Sequence, residues 1–275
     1  MLFMLLAPTI CPIGVGGLSF TLRKVDGTSV PSTHWERPDQ LLIFDHVKAE
    51  DRVLMLGGNI GSACIALDRV VSHGKHVACV EPNEKLIATL RENREQTNSS
   101  FHVVNALLTR NPGPIYMRVC NGVGDGTCSV ATSSGLRSNA FALAERAMGA
   151  LGLIRGSWVG VPTKDLWALE SEMFHKQKFT FAVVDCEGCF CSFAEEYPTF
   201  LEQLRGLIVE VDGIRCDYDA LLKKMHSKGL DLHRKFNLPG GNEGGHKVML
   251  RGHPSTHSER SINSTNKTYG VFLRR

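Results

Sequence analysis

The residues with the clearest chemistry are a glycine turn and the acid that follows it. The apolar run Arg52-Val53-Leu54-Met55-Leu56 stops at Gly57-Gly58-Asn59-Ile60-Gly61, and Ser62-Ala63-Cys64-Ile65-Ala66-Leu67 continues with helical patterning. Twenty residues after Gly61 a second apolar run, His76-Val77-Ala78-Cys79-Val80, ends on Glu81. Glycines let a backbone approach a ligand closely, and an acid after the next strand can accept hydrogen bonds from ribose hydroxyls. The bland alternative is a tight strand-to-helix turn of the kind any parallel sheet contains.

A dinucleotide fingerprint would read GxGxxG. Here Asn59 and Ser62 replace the later glycines, so the turn reads GxNxG. A pyrophosphate seated on the helix N-terminus favours the missing third glycine. S-adenosylmethionine carries no pyrophosphate and suits the observed turn better. A further apolar strand, Phe179 to Asp185, also ends in an acid, and Glu187 lies two residues on.

The elements around these residues alternate. Leu18–Val25 alternates like a strand, and Asp26-Gly27 marks a turn. Apolar spacing predicts a lead-in helix over Trp35–Val47, then strand 52–56, helix 60–71, strand 76–80 and helix 83–95. Strands follow at Phe101–Ala106 and Ile115–Cys120. The Gly/Ser/Thr-rich stretch 121–139 reads as a mobile loop, and Ala140–Ile154 as an amphipathic helix, either an ordinary surface helix or a lid over a cleft. Beyond strand 179–185 come helix Phe193–Leu204, strand Leu207–Val211, helix Tyr218–Met225 and late strands at Leu230–Phe236, His246–Leu250 and Tyr269–Leu273. Residues 239–268 read as largely irregular. The pattern predicts an α/β fold with a parallel-rich sheet and helices on both faces. We divide the chain into an N-terminal extension, 1–50, and a main domain, 51–275, with an inserted loop and helix at about 121–157 and the late loop at 239–268.

Composition narrows the function. The chain has 275 residues and a net charge of +3, with no block of like charge that would mark a nucleic-acid partner. No apolar run is long enough to cross a bilayer, and the apolar start Met1–Ala7 lacks a preceding positive charge. Nine cysteines without regular spacing argue against a disulfide scaffold and for a reducing, cytoplasmic compartment. Cys64 and Cys79 read as small core residues. Cys186-x-x-Cys189 could hold zinc only with two further ligands, such as Cys120 and Cys128 or a histidine; we expect no metal.

The motifs together resemble the FkbM-type family of S-adenosylmethionine-dependent methyltransferases. The resemblance spans roughly residues 35–215 and rests on Gly57–Gly61, Val80-Glu81-Pro82-Asn83, Phe101–Leu107, Val161–Leu166, Val184–Gly188 and Ile208–Val211. It implies a class I methyltransferase (Rossmann-like) fold with a seven-stranded sheet whose last strand is antiparallel. It also implies S-adenosylmethionine as cofactor, with Gly57, Gly58, Asn59 and Gly61 at its methionine end, Glu81 on the ribose and Asn105 near the adenine. For Asn105 a loop-capping role is the equal alternative. Asp185 and Glu187 would be the catalytic carboxylates, orienting the acceptor, taking a hydroxyl proton or facing the sulfonium. Glu187 could instead satisfy backbone donors at a helix start. Glu210 would line the acceptor pocket or lie at the surface, and His102 or a late-loop histidine could act as base.

Two departures stand out. The family usually has an acid where this chain has Met55 and a second glutamate where it has Phe190. The expected function is O-methylation of a small-molecule or glycan hydroxyl. The alternatives are N- or protein methylation, a degenerate binding domain on the same fold, and a zinc-stabilised interaction module.

Overall fold

A computed structural model describes residues 19–111, 115–119, 130–132, 157–186, 188–211, 218–237 and 268–274. Asp26-Gly27 turns a hairpin of β1 (Thr21–Arg23) and β2 (Ser29–Pro31), so the strand expected over Leu18–Val25 is only three residues long. The Asp26 carboxylate accepts from the Thr28 N–H and hydroxyl at 2.9 and 2.6 Å, which closes the turn. α1 (Arg37–His46) starts two residues later than predicted. Pro38 sets that boundary, because proline fits the first helical turn, where its missing N–H has no partner to lose.

The central elements follow as β3 (Val53–Leu56), α2 (Ser62–Val70), β4 (Val77–Val80), α3 (Glu84–Gln96) and β5 (His102–Val104). An excursion then builds β6 (Leu107–Leu108), β7 (Ile115–Val119), β8 (Val130–Thr132), β9 (Ser157–Val161) and β10 (Thr163–Lys164). β8 lies inside the stretch expected to be loop and pairs with β7. The chain continues through α4 (Leu166–Phe174), β11 (Phe181–Val184), α5 (Phe190–Glu196), α6 (Pro198–Gln203), β12 (Gly206–Val211), α7 (Tyr218–Ser227), β13 (Leu230–Asn237) and β14 (Thr268–Arg274). The single helix expected over 193–204 is broken at Tyr197, because Pro198 disfavours helical backbone in the residue before it. The predicted helix 140–154, strand 246–250 and nearly all of loop 239–268 lie outside the described residues.

The main sheet has seven strands in the order β13-β14-β12-β11-β3-β4-β5. β12, β11, β3, β4 and β5 pair in parallel, while β14 runs antiparallel to both its neighbours. This is the class I methyltransferase architecture. β3, β4 and β11 are buried at every position because helices cover both faces of the sheet, which explains their unbroken apolar sequences. One face packs α1, α2 and α3 through Ile43, Ile65, Leu67 and Leu90; the other packs an aromatic cluster of Phe174, Phe179, Phe193, Tyr197 and Phe200.

From β3 the chain moves outward through β4 and β5, then crosses back to β11 and β12 on the other side. The carboxyl ends of β3 and β11 therefore form a topological switch point, where open α/β sheets place ligands. At the opposite end, Asp51 ties the starts of three strands together. Its carboxylate accepts from Thr180 Oγ1 at 2.8 Å, from the Lys48 N–H at 2.7 Å and from the Arg205 guanidinium.

Candidate cofactor and acceptor site

β3 ends at Leu56, and the next residues turn sharply toward α2. The Gly57 and Gly58 N–H groups donate to the Val80 carbonyl at 3.0 and 2.9 Å, which joins the turn to the end of β4. Gly57 has φ 91°, and a Cβ there would overlap the carbonyl oxygen of Asp185 at the end of β11. Gly61 has φ 104°, and its Cβ would lie 2.8 Å from Leu90 Cδ1 on α3. A Cβ on Gly58 would lie 2.7 Å from Cys79 Sγ. The protein's own close packing thus requires these glycines, whatever else approaches the turn.

Glu81 is the centre of the candidate site. It is 5 % exposed, and its two oxygens accept from the Asn59 N–H at 2.9 Å and the Asn83 N–H at 2.8 Å. Burial raises its pKa from 4.5 to about 7 despite those two hydrogen bonds, and the charge of Asp185 adds to the rise. Each carboxylate oxygen can accept a second hydrogen bond, so the group keeps capacity for hydroxyl donors. Asn105 donates from Nδ2 to the Glu81 and Pro82 carbonyls at 3.0 and 3.3 Å. Its side chain caps the loop that carries Glu81.

The N-terminal segment closes over the same turn. Asn59, itself left-handed at φ 45°, donates from Nδ2 to Glu36 Oε1 at 2.9 Å. The two hydrogens of Gln40 Nε2 are shared among Ser32 O, Trp35 O and Ser62 Oγ at 2.9, 2.9 and 2.8 Å, fastening the lead-in chain to the start of α2. Asn93, buried on α3, donates to Ile60 O and Arg23 O and accepts from the Arg23 N–H, which anchors the hairpin beside it. Glu36, Gln40 and Asn93 were not singled out in the sequence. Their roles depend on contacts between segments far apart in the chain, and only the apolar spacing over 35–47 hinted that this segment was ordered.

Asp185 directly follows β11, and its N–H donates to Leu56 O at 2.9 Å beside the glycine turn. Glu187 lies outside the described residues. Glu210 is 4 % exposed near the carboxyl end of β12, which excludes the surface role left open for it. His102 begins β5 at the opposite end of that strand from Asn105, away from the turn. It is therefore not placed to act as base there. Met55 is 1 % exposed in the core cluster beneath the turn, paired between Cys79 and Val183. Phe190 is likewise core, stacked on Phe193.

The cysteines correct the expected thiol state. Cys64 of α2 and Cys79 of β4 are core residues, as expected, but they form a disulfide under the turn. Cys186 and Cys189 form a second one across the loop after β11, so their sulfurs are not zinc ligands. Among the described residues, no group of three His, Cys, Asp or Glu side chains could hold a metal ion. These two pairs among the described residues, with Cys191 also disulfide-bonded, are more typical of an oxidising environment than of the reducing compartment expected from cysteine count and spacing. Pairing depends on which elements lie side by side, and a count carries no such information. Among the described residues, no helix is long and apolar enough to cross a membrane.

No protein-family model matches the chain, and no curated protein gives a significant match. Solved structures give remote likenesses. A magnesium protoporphyrin IX methyltransferase from Synechocystis with bound S-adenosylmethionine has 9 % identity and a TM-score of 0.45, covering 89 % of this chain and 79 % of its own. An O-methyltransferase from Bacillus cereus in complex with S-adenosylhomocysteine has 13 % identity and a TM-score of 0.39, covering 86 % and 80 %. A tRNA methyltransferase from Aquifex aeolicus has 13 % identity and a TM-score of 0.40, covering 86 % and 69 %. The fold assignment rests on the strand order of the protein itself.

Proposed function

We propose that this protein is an S-adenosylmethionine-dependent methyltransferase of FkbM type that methylates a hydroxyl oxygen of a small molecule or glycan. The observation that carries the reading is Glu81. It is a buried carboxylate at the switch point, held by the backbone of the glycine turn, with acceptor capacity left for two ribose hydroxyls. In this reading Gly57, Gly58, Asn59 and Gly61 lie along the methionine end of the cofactor. Asn105 shapes the adenine side through the loop it caps, and Asp185 and Glu187 face the acceptor.

The bound cofactor would supply a methyl group already activated by its sulfonium. The protein's part is to align an acceptor oxygen with that carbon, and alignment alone accounts for much of the rate in such displacements. A carboxylate from the loop after β11 would then take the hydroxyl proton. The test is transfer of an isotopically labelled methyl group to a panel of hydroxyl, amine and protein acceptors, read by product mass. Labelled ether product supports the proposal, whereas labelled amine or protein moves the assignment to N- or protein methylation. A second reading, a binding domain without turnover, is favoured by the burial of Met55 where a family acid usually stands. It predicts cofactor binding with no labelled product on any acceptor.

A further inference from the structure

S-adenosylmethionine is not only a nucleoside. Its amino-acid end carries an α-ammonium that needs hydrogen-bond acceptors, best supplied by an anion. The glycine turn offers little of that kind, since it leads into the N-terminus of α2, where free N–H groups favour negative charge. The nearby carboxylates are already distinguished by their surroundings. Glu81 is buried against two backbone N–H groups, and Asp185 belongs to the loop after β11.

Glu36 is a further carboxylate that reaches the turn. It has a left-handed backbone, φ 48°, at the junction between the 3-10 turn Ser32–His34 and α1. Non-glycine residues seldom hold that conformation unless their surroundings impose it. Here the imposition is visible: the preceding carbonyl, Trp35 O, accepts from Gln40 Nε2 at 2.9 Å and from Ser62 Oγ at 3.3 Å. The result directs the Glu36 side chain onto the turn, where Oε1 accepts from Asn59 Nδ2 at 2.9 Å. The other atom of that amide, Asn59 Oδ1, is buried with no partner among the described residues. A carboxylate and an orphaned amide oxygen, joined through one side-chain amide, form an acceptor set that matches an ammonium group with three donors.

We propose that Glu36, with Asn59 Oδ1, receives the α-ammonium of the cofactor's amino-acid end and so sets specificity for S-adenosylmethionine over smaller nucleosides. The assignment rests on the proposed function and extends it to a residue outside the strand-end motifs.

The competing role for Glu36 is a neutral clamp that only holds the N-terminal segment on the turn. Glu36→Gln separates the two, because a glutamine oxygen still accepts from Asn59 Nδ2 while the charge is gone. Binding of S-adenosylmethionine and of 5′-methylthioadenosine, which keeps the nucleoside but lacks the amino acid, is measured on wild type and variant. We expect about a tenfold loss for S-adenosylmethionine and no more than about twofold change for 5′-methylthioadenosine. Equal losses for both ligands, or no loss for either, overturn the proposal. A second measurement needs no variant: wild type should bind S-adenosylhomocysteine about tenfold more tightly than its deaminated analogue. Equal affinities overturn the proposal while leaving the nucleoside site intact. A wild-type protein that binds none of these ligands overturns the methyltransferase reading itself, and this proposal with it.

Discussion

Asp51 and Glu81 are buried carboxylates at opposite ends of the central sheet, and their surroundings drive them apart. Burial works to raise Asp51, but the Arg205 guanidinium, the Lys48 N–H and the Thr180 hydroxyl outweigh it and hold the carboxyl below its usual value. Glu81 is also buried, yet among the described residues its hydrogen bonds come only from two backbone N–H groups, and it rises to about 7. The comparison teaches how to tell a structural carboxylate from a candidate ligand group. The first is given a cation and its bonds are saturated by the fold. The second sits at the switch point without a cation and keeps room for neutral donors.

The largest expected effect is at the amino end. Asp51→Ala leaves the Arg205 guanidinium and Thr180 hydroxyl without their partner, and breaking a buried pair of this kind costs about 3–5 kcal/mol. Arg205 is partly exposed, so the lower end of that range is expected at pH 7 in urea denaturation. Because the folded value is depressed, this stability is present above about pH 4 and is lost as pH falls through the lowered value. Wild type and variant should therefore converge in acid. A variant as stable as wild type at pH 7 would erase one side of the comparison.

Glu81 should show the opposite sign. Its folded value, about 7, lies above the ordinary 4.5, so the native state keeps a proton that the unfolded chain releases. Its contribution is fully present below about pH 4.5 and is lost as pH rises through about 7, a fall of about 3 kcal/mol. Glu81→Gln removes the titration and should flatten the fall in urea midpoints measured from pH 4.5 to 8. A variant profile parallel to wild type would show that Glu81 is not the group responsible.

The disulfides sharpen the contrast within the carboxyl end. Cys64–Cys79 closes a 15-residue separation beneath the turn, and replacing both by alanine should cost about 3 kcal/mol by chain entropy. Cys186–Cys189 spans a separation of 3, and the same replacement should cost about 1.5 kcal/mol. Denaturant midpoints of the two double variants test the order. Reversal would mean that the loop after β11, rather than the glycine turn, is the more constrained side of the site.

Much of this arrangement was legible in the sequence. Strands buried on both faces announce themselves as unbroken apolar runs, so Val53–Leu56, Val77–Val80 and Phe181–Val184 were found with little error. Glu81 was legible because it terminates such a run. Gly57 was legible as a turn but not in its reason, since the atom its Cβ would strike belongs to Asp185, 128 residues away in sequence. Glu36 was invisible because its approach to Asn59 depends on a left-handed residue in a segment that reads as ordinary helix. The break at Tyr197 was missed although Pro198 was in plain view, because apolar spacing continued across it.

The central claim is that Glu81 receives the ribose of S-adenosylmethionine, and calorimetric titration of wild type and Glu81→Gln with that ligand at pH 8 tests it most directly. Loss of a charge-assisted acceptor for hydroxyl donors costs about 1.5–3 kcal/mol, so the variant should bind at least about tenfold more weakly while remaining folded. Equal affinity in wild type and a folded variant, or no binding by wild type, would contradict the account.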